Sequence, residues 1–152
     1  AKLMRRAIAL AMENVRDGGG PFAALVVKDG RVVAEGANRV TASNDPTAHA
    51  EVMAIRAACR AIGTFQLTGC DLYTTCEPCP MCLGAIYWAR PDRVYFAAGK
   101  HDAASAGFDD AFIYDEIAVS PADRRIPMDQ LLETEAAAVF AAWKASSDRT
   151  VY

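Results

Sequence analysis

The chain of 152 residues has little of what several function classes require. No stretch nears the ~18 consecutive apolar residues of a membrane helix, so no membrane association is expected. The opening Ala1-Lys2-Leu3-Met4-Arg5-Arg6 lacks a continuous apolar run and a small-residue cleavage site. It does not read as a secretory signal, and the expected location is cytoplasmic. Basic residues are not in excess: 16 Lys and Arg stand against 19 Asp and Glu, a formal net charge of -3. From His101 to Asp123 there are several acidic side chains and no Lys or Arg. A nucleic-acid partner calls for a basic patch or stripe, so none is expected here. Repeats, low-complexity segments and linkers are absent too. The length favours one domain, which can bury about two-thirds of its unfolded surface without disulfide staples.

The pattern of elements is α/β. Met4, Ile8, Met12 and Val15 recur at helical spacing, and Gly18-Gly19-Gly20 ends that helix. Phe22 to Val27 is a continuous apolar run and reads as a buried strand. Asp29-Gly30 supplies a tight turn, and Arg31 to Gly36 returns as a second strand. Val52, Ile55, Cys59 and Ile62 mark a helix opened by Asn44-Asp45-Pro46-Thr47, with Thr47 as the expected cap. Leu72 to Thr75 is a short strand, Cys79 to Ala89 a helix with Pro80 in its first turn, and Val94 to Phe96 a fourth strand. Strands that alternate with helices are expected to be parallel neighbours covered on both faces. Leu132, Ala136, Val139, Phe140 and Trp143 mark a last long helix, and Ser146 to Tyr152 reads as a frayed tail.

The chemistry gathers in the cysteines and one histidine. Five cysteines is an odd number, and Cys76, Cys79 and Cys82 lie close together. Without a secretion signal this clustering points to metal or thiol chemistry rather than a disulfide framework. Cys79-Pro80-Met81-Cys82 places two thiols at a helix start, where the helix dipole favours thiolate. Alone, such a pair also suits a redox site. His49-Ala50-Glu51 changes the balance. Residues two apart do not share a helix face, but both can point off the tip of a helix start. Two helix tips could then bring one imidazole and two thiolates to a single point. Zinc with three protein ligands keeps an open fourth position, which is the catalytic arrangement. Glu51 beside the metal can move protons without being a ligand. Cys76 is a rival ligand by its spacing, but it reads as a loop neighbour, because three ligands and a water already complete a catalytic zinc. Cys59 and Cys70 read as core and structural, and His101 as a surface residue.

His49-x-Glu51 followed by Pro78-Cys79-x-x-Cys82 matches the signature of zinc-dependent deaminases. At these residues the sequence resembles the cytidine deaminase superfamily. Asn44 to Glu51, Cys76 to Pro91, Ala106-Gly107-Phe108-Asp109-Asp110 and the terminal Tyr152 are similar to the bacterial guanine deaminase branch. The resemblance covers nearly the whole chain. It implies a three-layer α/β/α sandwich on a five-stranded mixed sheet, a Zn2+ cofactor, and hydrolysis of guanine, a small nucleobase, to xanthine and ammonia. It further implies a homodimer in which a single domain, residues 1–152, exchanges its C-terminal segment. Residue by residue, His49, Cys79 and Cys82 would bind zinc and Glu51 would shuttle protons. Asp110 would be a second shuttle. Asn38 would hydrogen-bond the purine, Phe22 and Trp88 would line the pocket, and Tyr152 would close over it. The family has Gly after Pro21-Phe22, where this chain has Ala23.

Each assignment beyond the zinc motifs has a plain alternative. Asn38 could be a turn residue, Asp110 part of a solvated acidic face, and Phe22 and Trp88 core. Two other functions use similar motifs. A tRNA adenosine deaminase would need clustered Lys and Arg. A non-catalytic zinc-stabilised binding module would close the fourth position, with Cys76 as its fourth ligand.

Overall fold

A computed structural model describes all residues, 1–152. The elements run α1 (Lys2–Arg16), β1 (Ala23–Lys28), β2 (Arg31–Ala37), α2 (Val40–Ser43), α3 (Ala50–Ile62), β3 (Cys70–Cys76), α4 (Pro80–Ala89), β4 (Arg93–Ala98), α5 (Lys100–Ser105), α6 (Ala111–Ala118) and α7 (Glu133–Ala145), with a 3-10 turn at Pro121–Asp123. Residues 1–110 form one compact unit and residues 111–152 a second.

The first unit is built on a mixed sheet ordered β2-β1-β3-β4. β1 pairs antiparallel with both β2 and β3, and β3 pairs parallel with β4. The hairpin between β1 and β2 closes through Asp29 (φ 50°) and Gly30 (φ 73°), the left-handed pair that a two-residue turn demands. The parallel pair needs a crossover, and α4 provides it.

Side-chain alternation explains why β1 is apolar throughout. Leu25 and Val27 face one way and pack with Ala7, Leu3, Met4 and Leu10 of α1. Ala24 and Val26 face the other way and pack with Ala50, Ala54 and Ala58 of α3 and Ile86 and Ala89 of α4. The central strand therefore has helices on both faces, the condition that favours an unbroken apolar run. Ala23 at its start is fully buried.

The sheet has four strands, not the five that the family resemblance implies. The chain offers no fifth. Gly99 turns it out of β4 directly into α5. Beyond Asp110, the alanine-rich stretch of α7 favours helix, and Pro127 interrupts the apolar residues around Ile126 and Met128. No helix is long and apolar enough to cross a membrane.

One close approach sets the height of α3 over the sheet. A Cβ at Gly36 of β2 would stand 2.3 Å from the Ala50 carbonyl oxygen and 2.4 Å from the Ala54 nitrogen. Only a glycine lets the first turn of α3 sit that low on the strand.

Candidate functional site

The first turns of α3 and α4 meet at one point. His49 is the residue that caps α3, and Cys79 caps α4; both have extended backbone. Thr47 is not the cap. Its N–H and hydroxyl both donate to Asp45 Oδ1, at 2.8 and 2.7 Å, which closes a tight loop before the helix begins. The extended backbone at His49 throws its imidazole off the helix tip, toward the tip of α4. His49 Nδ1 lies 3.5 Å from Cys79 Sγ and 3.5 Å from Cys82 Sγ. All three donor atoms lie within 4.8 Å of one another.

These separations suit a tetrahedral ion. Imidazole nitrogen and thiolate sulfur bound to one zinc at ordinary bond lengths stand roughly 3.6 Å apart. The protonation of the cluster points the same way. The Cys79 thiol is pulled down to about 4, first by its bond to Cys82 and then by His49, against the opposing effect of burial. The Cys82 thiol is pushed up by Cys79 and by burial. The bond to Cys79 raises the His49 imidazole above its ordinary range, against the opposing effect of burial. The donors thus compete for protons among themselves, and a divalent cation replaces those protons and lets both sulfurs be thiolates. The donor set of one nitrogen and two sulfurs suits zinc.

Glu51 follows His49 in the first turn of α3 and is 6% exposed. Burial raises its carboxyl above the ordinary range, and its bond with Cys82 opposes that rise. Cys76 ends β3 and is also buried. Its thiol points elsewhere, 3.8 Å from the Gly99 carbonyl oxygen, and burial pushes its pKa up. The cluster of possible ligands is His49, Cys79 and Cys82 without it.

Asp110 ends the first unit and is half-buried. Burial raises its carboxyl, and the nearby Cys79 charge raises it further, so it lies within the field of the cluster. Phe22 meets Phe108 edge to face, with ring centroids 4.9 Å apart. That contact joins the start of β1 to the Gly107-Phe108-Asp109-Asp110 segment. Asn38 is buried, and its Oδ1 accepts from the Val40 N–H at 3.3 Å. Trp88 lies on α4 with 63% of its surface exposed, and Tyr152 ends the second unit, also exposed.

Two contributors were not singled out by sequence. Phe108 packs on Phe22, and its only signal was its place in the Gly-Phe-Asp-Asp segment. Glu77, inside the cysteine motif, accepts from the Lys100 N–H at 3.2 Å and so ties the cysteine loop to α5. No periodicity in the sequence announces either contact.

Comparison with known proteins follows the same outline. Residues 1–98 match the cytidine and deoxycytidylate deaminase zinc-binding region. A guanine deaminase of Bacillus subtilis (strain 168) is 57% identical over 150 residues, which is 98% of this chain and 96% of that protein. The X-ray structure of a guanine deaminase from Bacillus subtilis matches with a TM-score of 0.97 and 56% identity, over 99% of this chain and 97% of that one. A tRNA-specific adenosine deaminase of Agrobacterium fabrum (strain C58 / ATCC 33970) is 48% identical over 93 residues, 59% of this chain and 61% of that protein.

Proposed function

Since the chain belongs to the cytidine and deoxycytidylate deaminase zinc-binding family, we propose that it is a zinc-dependent aminohydrolase that converts guanine to xanthine and ammonia. One observation carries the choice of base: the 57% identity to a guanine deaminase spans 98% of the chain, whereas the likeness to a tRNA-specific adenosine deaminase spans 59%. The acidic stretch His101 to Asp123, with no Lys or Arg, also speaks against an RNA substrate.

His49, Cys79 and Cys82 would hold the metal. Zinc there would supply a Lewis acid, one that acidifies water enough to make a nucleophile at neutral pH. Glu51 takes a proton from the attacking water and passes it to the purine ring nitrogen. Its position supports this role: it follows the ligand His49 in the first turn of α3, and burial raises its carboxyl above the ordinary range. The water oxygen bonds to C2, its remaining proton passes through Asp110 to the amino nitrogen, and the bond from C2 to that nitrogen breaks, leaving the C2 carbonyl and ammonia. Asn38 donates to the purine, Phe22 and Trp88 line the pocket, and Tyr152 closes over it.

The test is ammonia release from guanine, adenine, cytosine, cytidine, guanosine and a tRNA anticodon loop. Guanine is expected to give ammonia and xanthine in equal amounts. Release from cytidine alone, or inosine formed in the tRNA, would overturn the substrate.

The same reading makes residues 1–152 one functional domain that exchanges its C-terminal segment across a homodimer. None of residues 111–152 is buried, although they include Phe112, Ile117, Val139, Phe140 and Trp143. Apolar surface on that scale marks a protein interface. The 16.3 kDa chain is expected to sediment at about twice that mass at micromolar concentration. A monomer under those conditions would contradict the exchange.

A further inference from the structure

A closed ring of hydrogen bonds runs behind the two residues assigned to the purine, and Asn14 closes it. Asn14 lies in the last turn of α1 and is 6% exposed. One Nδ2 hydrogen goes to the Gly20 carbonyl oxygen at 2.8 Å, and the other to the Asn38 carbonyl oxygen at 2.9 Å. The Gly20 oxygen also accepts from the Phe22 N–H at 2.9 Å, and the Phe22 oxygen accepts from the Asn38 N–H at 3.0 Å. The circuit therefore passes from Asn14 to Gly20, Phe22, Asn38 and back.

The fit is tight from both sides. A Cβ at Gly19 would lie 2.4 Å from Asn14 Nδ2, and one at Gly20 would lie 3.1 Å from Asn38 Cγ. The Gly19 N–H in turn donates to the Asn14 carbonyl oxygen at 2.7 Å. The three glycines after α1 thus do more than stop the helix. They let the chain fold back under a buried amide that satisfies two carbonyls at once.

We propose that Asn14 is a positioning residue for the base-binding corner, setting the places of Phe22 and Asn38 without touching substrate. This rests on the reading of Phe22 and Asn38 as purine contacts. Asn14→Ala leaves the buried Asn38 carbonyl oxygen without its donor and the Gly20 oxygen with the Phe22 N–H alone, so the loop relaxes and the Asn38 side chain drifts. A displaced contact that is made equally in the bound ground state and the transition state weakens binding and leaves the chemical step unchanged. The expected result is a rise in KM for guanine of about tenfold, with kcat held within about twofold and zinc retained at one per chain.

A double-mutant cycle with Asn38→Ala separates positioning from general structural support. If Asn14 acts through Asn38, Asn14→Ala adds less than about twofold once the Asn38 side chain is gone. Gly20→Ala is the second variant, because it presses on Asn38 while leaving Asn14 in place; its KM is expected to rise in the same way. An unchanged KM in Asn14→Ala, a full multiplicative effect in the cycle, loss of zinc, or failure of both variants to fold would each overturn the proposal. Wild-type protein is assayed first against the same panel of bases. If it prefers a base other than guanine, the substrate assignment fails while the cycle is run on that base. If it acts on none, both fail.

Discussion

Glu51→Gln is expected to keep one zinc per chain and to lose about 10²–10⁴-fold in kcat. Glutamine has the same shape and fits the same buried position, so the three metal donors are not disturbed. What it lacks is a site for the proton. Burial raises the carboxyl of Glu51 above its ordinary range, and a carboxyl can both accept a proton and return it. An amide does neither. KM is expected to change much less than kcat, because proton transfer matters in the transition state more than in the bound ground state. Metal analysis together with steady-state ammonia release checks both halves. Near-normal turnover in a zinc-loaded variant would remove Glu51 from its role.

The second large effect concerns the thiols. Cys82→Ser is expected to lower zinc affinity by more than about a hundredfold, beyond the loss that removing an outer-shell partner causes. Activity falls with the zinc. Cys82 is fully buried between Cys79 and His49, so the serine hydroxyl offers the ion a poorer donor in a position it cannot leave. Zinc also stabilises the fold that presents its ligands, so the wild-type Tm is expected to rise with added zinc and the variant Tm to stay flat. Cys76→Ser serves as the contrast. Cys76 sits in the same motif but directs its thiol to the Gly99 carbonyl, and the variant is expected to hold zinc as the wild type does. Equal zinc loss in both variants would make Cys76 a ligand.

These residues were legible in the sequence for a physical reason. Metal ligands are constrained in type and in local spacing, so His49, Cys79 and Cys82 stand out before any contact is known. The strands were legible too. β1 is apolar at every position because helices cover both its faces, and the Asp29-Gly30 turn needs residues that tolerate positive φ. The four strands read from local pattern are the four that form, while the fifth came only from family likeness.

What failed to show was set by folding. Thr47 has the chemistry of a helix cap, but the helix begins at Ala50, so Thr47 stays in the loop, donating twice to Asp45 Oδ1, and His49 holds the cap position. Asn14 looks like an ordinary polar residue near a helix end. Its importance lies in two carbonyls six and twenty-four positions away. Phe108 becomes informative only when Phe22 is found against it. Local sequence encodes which groups are present; these three cases depended on what the folded chain brings beside them.

A catalytic zinc centre is held by one imidazole and two thiolates, with no further side chain to close it. X-ray absorption at the zinc edge of the holoprotein tests this arrangement most directly by counting sulfur neighbours. The expected result is two sulfurs and one imidazole nitrogen from the protein. A third sulfur would bring Cys76 into the coordination sphere, close the site, and turn the protein into a zinc-stabilised binding module.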